Sequence, residues 1–194
     1  MTSKALFYHW GPLLMKTKVE ENNLVEVEKL CNKRNNFNHE LAGHMKEQFT
    51  INPAELEEIL KKYLQTYKNI FVDYYHKYVD FYVNSSWVNY MKSGEFNPPH
   101  CHGADFSAVL FLSVPEEIKK ENEDFKGTGG ENCGPGELKF FVGLVTDDFI
   151  NEASFLPERG DLFVFPSKLI HLVAPFKSNV QRISVAFNMT RKQL

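Results

Sequence analysis

Two histidines separated by a single residue, His100 and His102 in Asn97-Pro98-Pro99-His100-Cys101-His102, stand just ahead of an apolar run from Ser107 to Val114. At the end of an extended segment, side chains two residues apart point the same way, so the two imidazoles can share one metal ion. A third histidine, His171, lies much later in an equally strand-like setting, and Arg182 follows it. Three imidazole nitrogens suit Fe(II) or Zn(II), with the remaining coordination positions open to substrate or oxygen. Asp105, shortly after the pair, offers a carboxylate as an alternative ligand. A single histidine at any of these places reads as a satisfied structural residue, but three at strand ends point to one shared site. Cys101, between the pair, faces away from them and reads as a small packed residue.

Arg182 opens a second line of chemistry. In the stretch Arg182 to Asn188, Ile183, Val185 and Phe187 fall on one face while Arg182, Ser184 and Asn188 fall on the other. If the apolar face packs against the core, the polar face looks into the interior of a barrel. An arginine held there keeps its charge and needs a fixed anion, which is either a protein carboxylate such as Asp161 or Glu137, or a bound ligand.

These residues must be positioned by the rest of the chain. With 194 residues, 43% of them hydrophobic and 14% aromatic, it is long enough for one well-buried core, so one domain is expected over 1–194. Residues Ala5 to Val19 suggest an extended segment turned at Gly11-Pro12, and Glu20 to about Lys33 has the periodicity of a short amphipathic helix. The stretch from Asn35 to Phe49 is polar and rich in turn formers, which makes His39 and His44 surface residues. A longer helix starts from Asn52 as N-cap, with Pro53 in its first turn and Glu55 completing a capping box, and runs to about Tyr78. Its stripe of Leu56, Ile59, Leu60, Tyr63, Leu64, Tyr67, Ile70, Phe71, Tyr74 and Tyr78 reads as core rather than a ligand box, with His76 structural beside it.

Beyond Phe81 the pattern turns to strands, at Ser86 to Met91, Ser107 to Val114, Glu137 to Val142, Asp161 to Phe165, Leu169 to Ala174 and Arg182 to Asn188. The fold class is therefore mainly β with N-terminal helices (α+β). Residues 1–82 form a mostly helical support and 83–194 a jelly-roll core. Pro115 to Pro135, charged and then glycine-rich, reads as a long surface loop, either a lid or a plain connection. Its glycines lack the Lys-Ser/Thr ending of a phosphate-binding loop.

A net charge of -3 without a basic stripe argues against nucleic acid as a partner. No apolar run reaches membrane-spanning length and the first residues lack a signal-peptide core, so a cytoplasmic protein is expected. Cys31, Cys101 and Cys133 are too widely spaced for a zinc ribbon or a disulfide framework. The Tyr-rich helix is a candidate face for a homodimer.

Several segments in order carry a resemblance: Trp87-Val88-Asn89, Phe96 to His102, Ser107 leading into Val109-Leu110-Phe111-Leu112, Gly136 to Phe140, Gly160 to Ser167, His171, and Arg182-Ile183-Ser184. Over Trp87 to Asn188 the chain resembles the Fe(II)- and 2-oxoglutarate-dependent dioxygenases, and within them the small bacterial and phage oxygenases related to prolyl 4-hydroxylases. The resemblance implies a double-stranded β-helix, Fe(II) as metal, and 2-oxoglutarate and O2 as cosubstrates. It also implies hydroxylation of a C–H bond in a peptidyl, prolyl or small-molecule substrate, with release of succinate and CO2. His100, His102 and His171 take the places of the metal ligands, and Arg182 with Ser184 that of the Arg-x-Ser pair holding the distal carboxylate of 2-oxoglutarate. Trp87 and Asn89 are candidates for lining the pocket. The chain departs from the family at His102, where a carboxylate is usual, so His102 and Asp105 both stand as ligands at this point. Two other readings of the same residues are a three-His cupin-type dioxygenase that does not use 2-oxoglutarate and a non-catalytic jelly-roll binding module.

Overall fold

The computed structural model describes residues 6–9, 11–31, 43–127, 133–143 and 152–192. The expectations for His39 and for Asn35 to Asn38 lie outside them. In chain order the elements are β1 (Leu6–His9), β2 (Leu13–Lys18), α1 (Glu21–Leu30), β3 (Gln48–Thr50), α2 (Pro53–Tyr75), β4 (Phe81–Met91), β5 (Asn97–His100), β6 (Phe106–Ser113), α3 (Glu116–Gly127), β7 (Leu138–Phe141), β8 (Glu152–Phe155), β9 (Asp161–Pro166), β10 (Ile170–Val173) and β11 (Arg182–Arg191). The strands form a seven-stranded antiparallel sheet in the order β1-β2-β9-β6-β11-β4-β3 and a four-stranded one in the order β5-β10-β7-β8. The two sheets make the expected jelly roll. Residues 1–82 hold more than helical support, because β1, β2 and β3 extend the larger sheet at both edges and β4 already begins at Phe81.

Alternation along the strands separates the two faces of the larger sheet. Val164 of β9, Leu110 of β6, and Val185 and Phe187 of β11 turn outward onto α2, where they meet Leu56, Leu60, Tyr67 and Phe71. Phe163, Phe165 and Phe111 turn inward and join Leu138 and Phe140 of the smaller sheet. Each such side chain, once buried, stabilises by about 1.5–3 kcal/mol, which is how a 23-residue helix is held across a sheet. Tyr67 is fully buried and donates its hydroxyl to the Leu13 carbonyl (3.2 Å), so the aromatic body is packed and the polar tip satisfied.

Helix α2 starts as expected: Asn52 Oδ1 accepts from the backbone N–H groups of Ala54 (3.0 Å) and Glu55 (3.3 Å). It stops at Tyr75, short of Tyr78, because His76 adopts a left-handed conformation (φ 52) and its N–H closes the last turn on Val72. Tyr74 and Tyr78, expected on the buried stripe, are exposed, because the first lies on the outer face of the last turn and the second beyond the end of the helix.

Pro115 to Pro135 departs from the expected structureless loop, since Glu116–Gly127 is helix α3. Ile118 is fully buried, and the Asn122 amide donates to the Pro135 carbonyl (3.0 Å) and to Glu137 (3.2 Å). Glu121 accepts from the backbone N–H groups of Lys177 and Ser178, which ties the helix to the segment leading into β11. Ile118 and Phe125, seven apart and so on one face, are its only large apolar residues, and among so many charges they are too few to mark a helix.

Candidate metal centre

The smaller sheet brings the three histidines together. β5 and β10 pair so that His100 lies opposite His171. The Pro98-Pro99 segment can form β5 because it is the edge strand, where missing N–H donors cost little. His102 lies just past the strand and is fixed by its backbone N–H, which donates to the Ser167 carbonyl in the β9–β10 turn (2.9 Å). One ligand atom from each of His100, His102 and His171 then falls within 4.8 Å of the others. The ring centroids are 4.2 Å apart for His100 and His171, 5.0 Å for His100 and His102, and 5.2 Å for His102 and His171.

Two of the rings are locked from behind. His100 Nδ1 lies 2.7 Å from the Pro98 carbonyl and His171 Nδ1 2.9 Å from the Leu169 carbonyl, so both must carry their hydrogen on Nδ1 and turn Nε2 into the cleft. A backbone carbonyl behind a ring is how ligating histidines are oriented. Burial, followed by the neighbouring His100, pushes the proton affinity of His171 down to about 3 and that of His102 down to about 4. His100 is lowered as well, by burial. All three are therefore neutral near pH 7 and available as donors.

Asp105 is placed elsewhere. Its carboxylate accepts from the Arg191 N–H (2.8 Å) and lies 3.8 Å from the Arg191 guanidinium, outside the histidine cluster. Cys101 corrects another expectation, being exposed rather than packed.

The cleft continues from the histidines to Arg182, lined by Trp87 and Asn89 of β4 and by Ser184, Ala186 and Asn188 of β11. The alternation read from the sequence thus puts Arg182, Ser184 and Asn188 on the inner face. Arg182 is 2% exposed. Its Nη1 donates to the Gly136 carbonyl (2.9 Å), its Nη2 to the Met91 sulfur (2.9 Å), and its plane lies by the Phe111 ring (5.3 Å). Nε is buried with no partner. Both carboxylates considered as partners are engaged elsewhere: Asp161 with Lys16 (3.1 Å) and Lys18 (2.9 Å), and Glu137 with Lys126 (3.0 Å). Among the described residues no carboxylate lies within ion-pair distance of Arg182, and burial pulls its pKa down to about 10. A desolvated cation facing a cleft without its own anion is a receptor for an external one.

Some lining residues had no signal in the sequence. Met45 comes from the stretch read as polar turns and reaches the cleft because His44 and Phe96 form a β-bridge and stack their rings at 4.6 Å. Asn97 also lines the cleft, and its buried Oδ1 has no partner. Gln48, from the same stretch, stands behind Asn89 and donates to its Oδ1 (2.7 Å).

A family model described as "Putative 2OG-Fe(II) oxygenase" matches residues 85–188. Solved structures of similar fold include a Pseudomonas putida prolyl-4-hydroxylase, 17% identical with a TM-score of 0.57 and 93% of each chain covered. A second is the viral collagen prolyl hydroxylase of Paramecium Bursaria Chlorella virus-1 in its 2OG complex, 16% identical with a TM-score of 0.53, covering 93% of this chain and 96% of that one. A third is SnoN, the non-heme alpha ketoglutarate dependent epimerase of nogalamycin biosynthesis, 11% identical with a TM-score of 0.55, covering 91% and 78%. At these identities the likeness is one of fold, the double-stranded β-helix. No curated protein sequence matches.

Proposed function

The chain belongs to the 2OG-Fe(II) oxygenase family, and from that premise we propose which side chains serve its chemistry. Its metal is Fe(II) and its cosubstrates are 2-oxoglutarate and O2. Membership speaks against both a cupin-type dioxygenase without 2-oxoglutarate and a non-catalytic binding module. In this reading His100, His102 and His171 hold the iron, Arg182 and Ser184 hold the distal carboxylate of 2-oxoglutarate, and Trp87 and Asn89 wall the cleft between them. The whole chain acts as one domain, since β1 to β3 complete the sheet that carries Arg182.

The observation that carries this reading is the buried, anion-free guanidinium of Arg182 at the end of a cleft that begins at three neutral imidazoles. Neutral donors leave the full dipositive charge on a bound metal, one unit more than a ligand set containing Asp or Glu, and so favour a dianionic chelator. Once bound, Fe(II) with 2-oxoglutarate and O2 would supply an oxidant that no side chain can, one atom of O2 going to a substrate C–H bond and the other into succinate, with release of CO2. The protein's own share is to orient and to shield. Pro98 and Leu169 fix two ring orientations through their carbonyls, Arg182 sets the far end of the cosubstrate, and Phe111, Leu138, Phe165 and Val173 keep water from the cleft.

The substrate is a small molecule or a peptide. The prolyl hydroxylases among the similar structures make proline-containing peptides the first substrates to assay, with succinate release as readout. The site itself is tested by adding Fe(II) and 2-oxoglutarate without oxygen. A weak visible charge-transfer band is expected for the wild type, lost in His171→Ala and weakened in Arg182→Ala. A wild-type protein with neither band nor stoichiometric iron would sink the proposal.

A further inference from the structure

Gln48 is 1% exposed on β3, the last strand of the larger sheet, and takes no part in the site as described so far. It stands in register with two residues that do: Gln48 pairs across β3 and β4 with Asn89, and Asn89 pairs across β4 and β11 with Ser184. A hydrogen-bonded row follows this register. Gln48 Nε2 donates to Asn89 Oδ1 (2.7 Å), and Asn89 Nδ2 reaches Ser184 Oγ (3.4 Å). Gln48 Oε1 is left buried without a partner, a cost of about 1–3 kcal/mol that an apolar residue would avoid.

The row has a direction. While Gln48 donates to the Asn89 oxygen, the Asn89 amide must turn its NH2 toward Ser184. The Ser184 oxygen then serves as acceptor, and its own hydrogen is free to point into the cleft, on the face it shares with Arg182. If both amides turned over, Asn89 would present its oxygen to Ser184 and take that hydrogen. The cleft would then meet an anion with a lone pair instead of a donor.

We propose that Gln48 is a positioning residue for the cosubstrate: through Asn89 it aims the Ser184 hydroxyl hydrogen at the distal carboxylate held by Arg182. This rests on the assignment of Arg182 and Ser184 above. It predicts that Gln48 matters to a ligand with a distal carboxylate and is silent toward a chelator without one, a distinction that a merely structural glutamine would not make.

The test uses the full chain loaded with Mn(II), so that nothing turns over, and measures equilibrium affinity for 2-oxoglutarate and for oxalate, which chelates a metal but has no distal carboxylate. Gln48→Glu is read as the pH is raised from about 6 to 9: while protonated its carboxyl still donates to Asn89, and once ionised it accepts only and forces Asn89 to turn over. Loss of one hydrogen bond to a charged group then weakens 2-oxoglutarate about tenfold. Gln48→Met, an apolar replacement of similar length on an edge strand, removes the bias without reversing it and weakens 2-oxoglutarate by a few-fold. Oxalate affinity stays within twofold of wild type in both. Equal losses for the two ligands, or no loss of 2-oxoglutarate affinity in either variant, would overturn the proposal. A wild-type protein that binds oxalate but not 2-oxoglutarate would instead remove the assignment of Arg182 and Ser184 beneath it.

Discussion

Replacing Arg182 by methionine should leave the metal-free protein about as stable as wild type while making its cosubstrate binding much weaker. The guanidinium is 2% exposed, lacks an anionic partner among the described residues, and has its pKa pulled down to about 10 from 12.5 by burial alone. That drop corresponds to roughly 3 kcal/mol of desolvation. The sign is fixed: folding lowers the group's affinity for its proton, so the penalty is present at every pH below about 10. Against it stand the Nη1 bond to the Gly136 carbonyl, about 1.5–3 kcal/mol for a charged donor, the Nη2 contact with the Met91 sulfur and the face of the Phe111 ring. Methionine is unbranched and can fill the space beside Met91 and Phe111 without a cavity. These contacts offset most of the desolvation cost, so the metal-free variant should stay within about 1 kcal/mol of wild type, a change in Tm of no more than about 4 °C for a chain of this size. With metal present it should bind 2-oxoglutarate at least about a hundredfold more weakly, since it lacks the cation of a buried charge pair. Thermal unfolding of the metal-free protein and a 2-oxoglutarate titration of the Mn(II) form measure the two effects. A variant more than about 3 kcal/mol less stable than wild type that still binds 2-oxoglutarate would contradict this, because Arg182 would then be a structural residue with a partner of its own.

Other perturbations separate the remaining roles. His102→Ala should abolish stoichiometric Fe(II) binding, whereas Asp105→Asn should leave it intact and lower stability by about 1 kcal/mol through its weakened bond to the Arg191 N–H, as read by metal analysis and urea unfolding. Gly136→Ala should destabilise by about 1–3 kcal/mol, because Gly136 has φ +75 and an added Cβ would lie 2.4 Å from Ile118 Cγ2; it should also weaken 2-oxoglutarate by displacing the carbonyl that holds Arg182. Asp80, bound by Lys68 and then Lys192, titrates near 2 when folded against 3.8 ordinarily. Its stabilisation is thus whole above about pH 4 and lost as the pH falls toward 2, and Asp80→Asn should flatten that limb of the stability curve.

The sequence was most legible where periodicity and chemistry coincided. The alternation Arg182, Ser184, Asn188 against Ile183, Val185, Phe187 set the inner face of β11 before any partner was known, because one face of that strand had to meet the core. The His-x-His spacing and the N-cap at Asn52 are local signals and survived folding for that reason. Helix α3 was hidden because its anchoring face holds only Ile118 and Phe125 as apolar residues and relies otherwise on polar contacts from Glu121 and Asn122. β8 and the edge strand β5, with its two prolines, are too short and too polar to announce themselves. Met45 and Gln48 reach the site only through cross-strand pairing, a property of register that no single segment carries.

The central claim is that His100, His102 and His171 hold the metal while Arg182 holds the far end of 2-oxoglutarate. A crystal structure of the chain with Mn(II) and 2-oxoglutarate tests it most directly. The expected result is a metal bound by the three imidazoles, Asp105 still on Arg191, and the distal carboxylate on Arg182 and Ser184. A metal bound by Asp105 in place of His102, or a distal carboxylate away from Arg182, would contradict it.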